Sequence, residues 1–170
     1  MGILILIAIA AMYQYLESSY QTKADAIRIA DVNHIASLVS KYHQATHRFP
    51  FQKESDEIGI MISVYIDGKS TVNIQESISP ISERIYSYQK FVDELQSVLG
   101  NDAVVPMDPQ KVPSFGPNWY VYSVQNGNYF IAAHLYHKNS NARYVESEGY
   151  YKYEISNIEV PEKKIYKYQD

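Results

Sequence analysis

The sequence predicts an α+β domain: a long N-terminal α-helix packed on a C-terminal antiparallel β-sheet, with a variable middle holding a hairpin and a second helix. Three observations predict it. From Ile3 to Phe49 there is no Gly or Pro, and apolar residues recur at helical steps. Asn126-Gly127 separates two arms of alternating polarity, the strongest short hairpin signal. "GYYKYEIS" then repeats the strand alternation. A helix followed by antiparallel strands buries one sheet face on the helix.

Along the helix, Ile27, Ala30, Ile35, Leu38 and Tyr42 follow one another at near-helical intervals. Ile29, Val32, Ala36 and Val39 add apolar positions on other faces. A helix lying on a monomer's surface has one apolar stripe and a polar back. Apolarity on several sides predicts packing on the helix's own domain and on something else. Read from residue 3 to about 46, the helix is roughly 65 Å long, and Pro50 ends it by biasing Phe49 out of helical geometry. Its first part, Gly2 to Met12, is apolar without a break. That run is shorter than the about 20 residues a membrane-spanning helix needs. The first basic residue is Lys23, so no basic region precedes the run as in a signal peptide.

In the middle region, "EIGIMISVYIDGKSTVNIQ" reads as two strands turned at Asp67-Gly68. "SISPISERIYSYQKFVDELQSVLGND" reads as a helix capped by Ser79, with Pro80 at its first position and Gly100 after its end. Its buried stripe is Ile81, Ile85, Tyr88, Val92, Leu95 and Leu99. "VVPMDPQKVPSFGPN" is a Pro-rich loop. In the hairpin, a two-residue turn sets Val124 opposite Tyr129, Tyr122 opposite Ile131 and Tyr120 opposite Ala133. One face then carries Tyr120, Tyr122, Val124, Tyr129, Ile131, Ala133 and Leu135, while Trp119, Ser123 and His134 lie on the other. The third strand puts Tyr151, Tyr153 and Ile155 on one face and Lys152 and Glu154 on the other.

Composition narrows the function. The 170 residues suffice for one domain with a core. A net charge of −4 offers no basic footprint for nucleic acid or an anionic lipid surface. The absence of Cys excludes disulfides, thiolate metal sites and cysteine nucleophiles. Tyrosine, at 17 residues, fits a half-buried sheet better than a stacking platform for sugars or bases.

Catalytic motifs are missing. "HQATH" sets His43 and His47 at metal-binding spacing, but Gln44 stands where a zinc protease needs a glutamate. A solvated helix end, with His complementing the helix dipole, accounts for both. Calcium is the other candidate cofactor: Asn101, Asp102 and Asp108 in one loop, and Asn139, Asn141, Glu146 and Glu148 in another, are oxygen ligands without EF-hand spacing. Asn and Asp favour loops in any case. The carboxylates Asp93-Glu94 and Glu146 with Glu148 read as solvated faces, and neither G-x-S-x-G nor a phosphate-binding glycine loop occurs. The expectation is no enzyme, no catalytic or cofactor-binding residues and no metal.

The opening stretch to Pro50 resembles the N-terminal helix of type IV pilins and type II secretion pseudopilins. The resemblance rests on Gly2-Ile3-Leu4, Ala8-Ile9-Ala10, the tyrosine step from Tyr13 to Leu16, Tyr42, and the exit Arg48-Phe49-Pro50. "VPMDPQ" followed by "WYVYSVQNGNYFIAAHLY" is similar to the D-P loop and hairpin of pseudopilin G-like subunits. The chain departs from the family in three ways. Met12 stands where a helix-kinking proline is usual, the glycine-rich acidic calcium loop is not recognisable, and the leader and first dozen mature residues have no counterpart. The resemblance therefore implies upstream coding sequence for a basic leader, a glycine and a mature helix start with Glu at its fifth position.

It also implies a division of labour. Residues 1–16 would be the incomplete membrane and assembly part of the helix, with Ile3, Leu4, Ile5, Leu6, Ile7, Ile9, Met12, Tyr13 and Leu16 as its contact residues. Residues 17–170 would be a periplasmic or extracellular globular domain. The implied function is that of a structural filament subunit, held in the inner membrane and later packed helix against helix. Its partners would be related subunits and the pilus or secretion machinery. The alternative is an exported or membrane-tethered ligand-binding domain, cleaved after Ala8-Ile9-Ala10, using Tyr-rich strand faces and Trp119 to stack carbohydrate.

Overall fold

The computed structural model describes residues 2–66, 83–108, 120–145 and 150–157. Its first element, α1 (Gly2–Thr46), is a single helix of 45 residues, about 67 Å long at 1.5 Å per residue. It ends four residues before Pro50. His47 takes a left-handed φ of 58° and its N–H bonds the His43 carbonyl at 2.7 Å. A left-handed residue after the last turn stops the helix before Pro50 can.

Six strands form one sheet: β1 (Met61–Ile66), β2 (Glu83–Tyr86), β3 (Tyr120–Gln125), β4 (Asn128–Leu135), β5 (Ala142–Val145) and β6 (Tyr150–Ser156). Their order is β2-β1-β3-β4-β6-β5, antiparallel throughout except for the parallel pair β1–β2. The α+β class is as the sequence predicts. So is the hairpin register: Val124 pairs with Tyr129, Tyr122 with Ile131 and Tyr120 with Ala133. Asn126 (φ 50°) and Gly127 (φ 72°) both occupy the left-handed region that a two-residue hairpin turn demands.

The middle region differs from expectation. A short helix, α2 (Gln52–Ile58), follows the exit from α1. The second helix, α3 (Tyr88–Leu99), starts at Ser87, whose side chain accepts a bond from the Lys90 N–H at 3.2 Å. Ile85, expected on that helix's buried stripe, lies in β2 instead, level with Ser63 of β1. Ser79, Pro80, Ile81 and the Asp67-Gly68 turn lie outside the described residues. Gly100 does close α3, with φ 85° and its N–H bonded to the Gln96 carbonyl.

The core lies between α1, α3 and the inner sheet face. Val32, Ile35, Val39 and Tyr42 of α1 meet Tyr120, Tyr122, Val124, Ile131 and Ala133 of the sheet, with Phe91, Val92 and Leu95 of α3 closing one side. Phe91 stacks on Tyr122 at 4.8 Å between ring centres. Of the apolar helix positions, Ile35, Leu38 and Tyr42 are buried, as are Val32 and Val39, whereas Ile27 and Ala30 face solvent. The buried stripe thus runs through residues 28, 32, 35, 39 and 42 at alternating steps of four and three, one face of a helix.

Candidate functional site

One helix serves two environments. From Ile5 to Ser18 every residue of α1 is exposed, and the first buried side chain is Ala24. Ile5, Leu6, Ile7, Ile9, Met12, Tyr13 and Leu16 are each between 54% and 68% exposed. Ile3 and Leu4 belong to the same helix, and their side chains lie outside the described residues. The backbone therefore aligns the expected contact residues on one rod, projecting from the domain that holds its other half. Among the described residues, no helix is long and apolar enough to cross a membrane. A contiguous apolar surface of this size on a folded chain marks a place where something else packs.

The rod is anchored by a polar cluster at the point where it meets the sheet. Arg28, fully buried, donates from Nε to Asp108 Oδ2 at 2.7 Å and from Nη2 to Oδ1 at 3.1 Å. Its guanidinium also lies 3.7 Å from Asp25 and over the Tyr136 ring. Burial alone would lower the Arg28 pKa, yet the hydrogen bond and charge of Asp108 outweigh it and the value is raised. Asp25 accepts the N–H groups of Tyr136 and His137, at 2.9 Å each, and the His137 Nδ1–H, also at 2.9 Å. That carboxylate caps the end of β4, where the strand's backbone donors run out. Asp31 accepts the Tyr120 hydroxyl at 2.6 Å. Burial raises the Asp31 pKa and the tyrosine bond only partly offsets it. The Tyr120 hydroxyl is raised strongly, by burial first and then by the bond to Asp31.

Next to this cluster the segment 103–108 lies against the helix. His34 Nε2 donates to the Val104 carbonyl at 3.0 Å and the Tyr88 hydroxyl to the Val105 carbonyl at 2.8 Å. These bonds tie an irregular segment, with no ladder of its own, to two helices. Asp108 is thereby used as an ion-pair partner, which corrects its place among the loop calcium ligands. Asn101 and Asp102 are exposed in the turn after α3. The Asn139 side chain accepts the Asn141 N–H at 2.9 Å, a local turn bond. Glu146 and Glu148 lie outside the described residues. Among the described residues no three His, Cys, Asp or Glu side chains converge as a metal site would require.

Two other expectations change. His43 and His47 do not share a helix face, because His47 lies past the helix end and the His43 ring stacks on Phe49 at 4.4 Å. Glu94 is no purely solvated carboxylate, since it accepts the Tyr42 hydroxyl. Burial, then that bond, raises the Tyr42 pKa. Tyr120 and Tyr122 are buried against α1 and offer no ring face to a sugar, and Trp119 lies outside the described residues. The outer sheet face holds an open groove of about 250 Å³, bordered by Tyr65, Phe130, His134, Arg143 and Lys152 among others.

Sequence reasoning missed Arg28. Its signal was present: an arginine within "AIRIADV", flanked by apolar residues, with Asp25 three positions earlier. A charge inside an apolar stripe needs a partner. No family model, curated protein or solved structure matches the chain.

Proposed function

We propose that this chain is a structural subunit of a type IV pilus or type II secretion pseudopilus-like filament, acting by polymerisation through α1. The observation that carries the proposal is the division of one unbroken helix. Its C-terminal half is bolted to the sheet by an apolar stripe and to the segment 103–108 by the Arg28–Asp108 pair, while its N-terminal half presents apolar side chains to solvent. Ile5, Leu6, Ile7, Ile9, Met12, Tyr13 and Leu16, each more than half exposed, would each gain about 1.5 kcal/mol on burial, on the order of 10 kcal/mol per copy. Association costs about 4–15 kcal/mol, and side chains on different sides of one helix are buried together only by several neighbours, so the gain offsets that cost in a bundle rather than in a pair.

The resemblance in Gly2-Ile3-Leu4, Tyr13 to Leu16 and Arg48-Phe49-Pro50 adds the class of filament. In this reading the subunit waits in the inner membrane with its domain in the periplasm, and moves into a periplasmic or extracellular filament. Related subunits and the assembly machinery are its partners, and no residue has a catalytic role.

The chain dispersed in mild detergent is expected to form filaments of uniform width when the detergent is removed, seen by negative-stain electron microscopy. Leu6→Asp with Ile9→Asp is expected to abolish them while leaving the circular dichroism of the domain unchanged. Particles that stay dispersed, or clump without regular width, would overturn the proposal.

A further inference from the structure

The sheet face turned away from α1 concentrates positive charge at one edge. Across β4, β6 and β5, His134 stands opposite Lys152 and Lys152 opposite Arg143, so three basic side chains form one row on one face. All three border the groove of about 250 Å³. The rest of its lining is largely apolar, with Met61, Val121, Phe130 and Val145 among the bordering residues.

Like charges directly opposite one another in a ladder destabilise it. Lys152 has its counter-charge: its Nζ lies 2.8 Å from a Glu154 carboxylate oxygen, and 4.7 Å from the centre of the Phe130 ring. Arg143 does not. It is exposed, and it makes no ion pair or hydrogen bond among the described residues. Glu83 also borders the groove but stands on β2 at the opposite edge of the sheet. Five strand spacings of about 4.8 Å put it roughly 24 Å away across the sheet, too far to compensate Arg143. A cation without a counter-charge is thus held beside a second cation, at the border of an apolar groove.

We propose that this groove binds a small monocarboxylate with an apolar body. The carboxylate bridges Arg143 and Lys152, and the body lies on Phe130 and Val121. The planar fork of a guanidinium matches the two oxygens of a carboxylate, which is the strong form of this hydrogen bond. Glu154 already compensates Lys152, so Arg143 brings one positive charge for the ligand to meet, and a single carboxylate matches it. A sugar acid fits less well. Its hydroxyls need polar partners, and the Ser123 hydroxyl in the groove is bonded to the Ser63 hydroxyl at 2.6 Å. Ligand pockets run from about 300 to 1,000 Å³, so a groove of about 250 Å³ suits a small molecule. The site lies on the face opposite α1, and the inference goes beyond the filament reading without resting on it.

Hydrocinnamate is the probe, with hydrocinnamyl alcohol, acetate and glucuronate for comparison. The chain in mild non-ionic detergent is titrated and followed by amide NMR shifts, plotted against free ligand measured by dialysis. Hydrocinnamate is expected to give saturable shifts at Phe130, Ala132, Arg143 and Lys152. The other three are each expected to bind at least about ten-fold more weakly. Equal binding of the alcohol would mean apolar contact without anion recognition. Equal binding of acetate would mean an anion site without a body, and equal binding of glucuronate a sugar-acid site. Each of these overturns the proposal, as does the absence of saturable shifts at those residues.

Substitution gives an independent reading. Arg143→Ala is expected to weaken hydrocinnamate binding about ten-fold, and Arg143→Lys less, because it keeps the charge and loses the fork. Unchanged affinity in Arg143→Ala would overturn the proposal. Without ligand, Arg143→Ala is expected to leave the urea midpoint unchanged or to raise it, since it removes a like-charge neighbour of Lys152. A lowered midpoint would mean that Arg143 already has a counter-charge, and would overturn the proposal too. The titration uses dispersed chain, so a failure to form filaments leaves this site untouched.

Discussion

Asp108→Ala is the most informative single perturbation of the domain. Both side chains of the Arg28–Asp108 pair are 0% exposed, and the contact is two-pronged at 2.7 and 3.1 Å. Removing one member of a buried pair leaves the other charge without its compensation, which costs about 3–5 kcal/mol. Asp25, 3.7 Å from the guanidinium and itself nearly buried, retains part of the attraction. The expected loss is therefore at the lower end, about 3 kcal/mol. Urea denaturation of the full chain in mild detergent, followed by the single Tyr-Trp fluorescence transition, reads it as a lowered midpoint at unchanged slope. Replacing both residues together, Arg28→Met with Asp108→Leu, is expected to recover most of the loss, because well-packed apolar groups replace a buried ion pair at little net cost. A loss under about 1 kcal/mol for Asp108→Ala would match an exposed pair and refute the burial argument.

Three further outcomes follow from the same geometry. Burial holds the Asp31 pKa above the ordinary aspartate value, so the folded state keeps that proton to higher pH than the unfolded state does. The stability Asp31 contributes is then complete below its unfolded pKa and declines as pH rises through the folded value. NMR titration of the carboxyl carbon is expected to show the raised midpoint, and Asp31→Asn to flatten the dependence of stability on pH in that window; a midpoint below the ordinary value contradicts the burial. Tyr122→Phe removes the hydroxyl that donates to the buried Pro50 carbonyl at 2.8 Å, and is expected to cost about 1–3 kcal/mol by denaturation. Gly127→Ala places a side chain at φ 72° in the hairpin turn, with only Gln52 near the new Cβ. The cost is expected to be about 1–2 kcal/mol from backbone strain, and a neutral result would mean that the turn is built differently.

Elements governed by local chemistry were legible in the sequence. Asn126-Gly127 sets its own turn type, and the alternation on each arm leaves one register that buries the apolar face, so the pairing follows. The length of α1 was equally legible from the unbroken run without Gly or Pro. β2 was not, because Ser79-Pro80 is a strong local start signal for a helix, whereas Glu83–Tyr86 becomes a strand by pairing with β1, a contact made in three dimensions. Ser87 offered a second capping position only four residues of strand later. The polar cluster was hidden for a different reason. An arginine in a helix reads as a surface residue, and its partner lies 80 positions away in an irregular segment. The exposed apolar residues of α1 needed no partner to be seen, since an apolar run beside a helix already committed to a sheet has no place in the domain's own core.

Hydrogen exchange, compared residue by residue between dispersed and assembled chain, tests helix-mediated assembly most directly. Dispersed, the N-terminal half of α1 has no tertiary packing and its amides exchange by fraying. Assembly through the helix predicts a large gain in protection over residues 5–22, with the edge strand β5 (Ala142–Val145) unchanged. Protection appearing at β5 while residues 5–22 stay open would mean that subunits join by strand addition at the sheet edge, and would contradict the account.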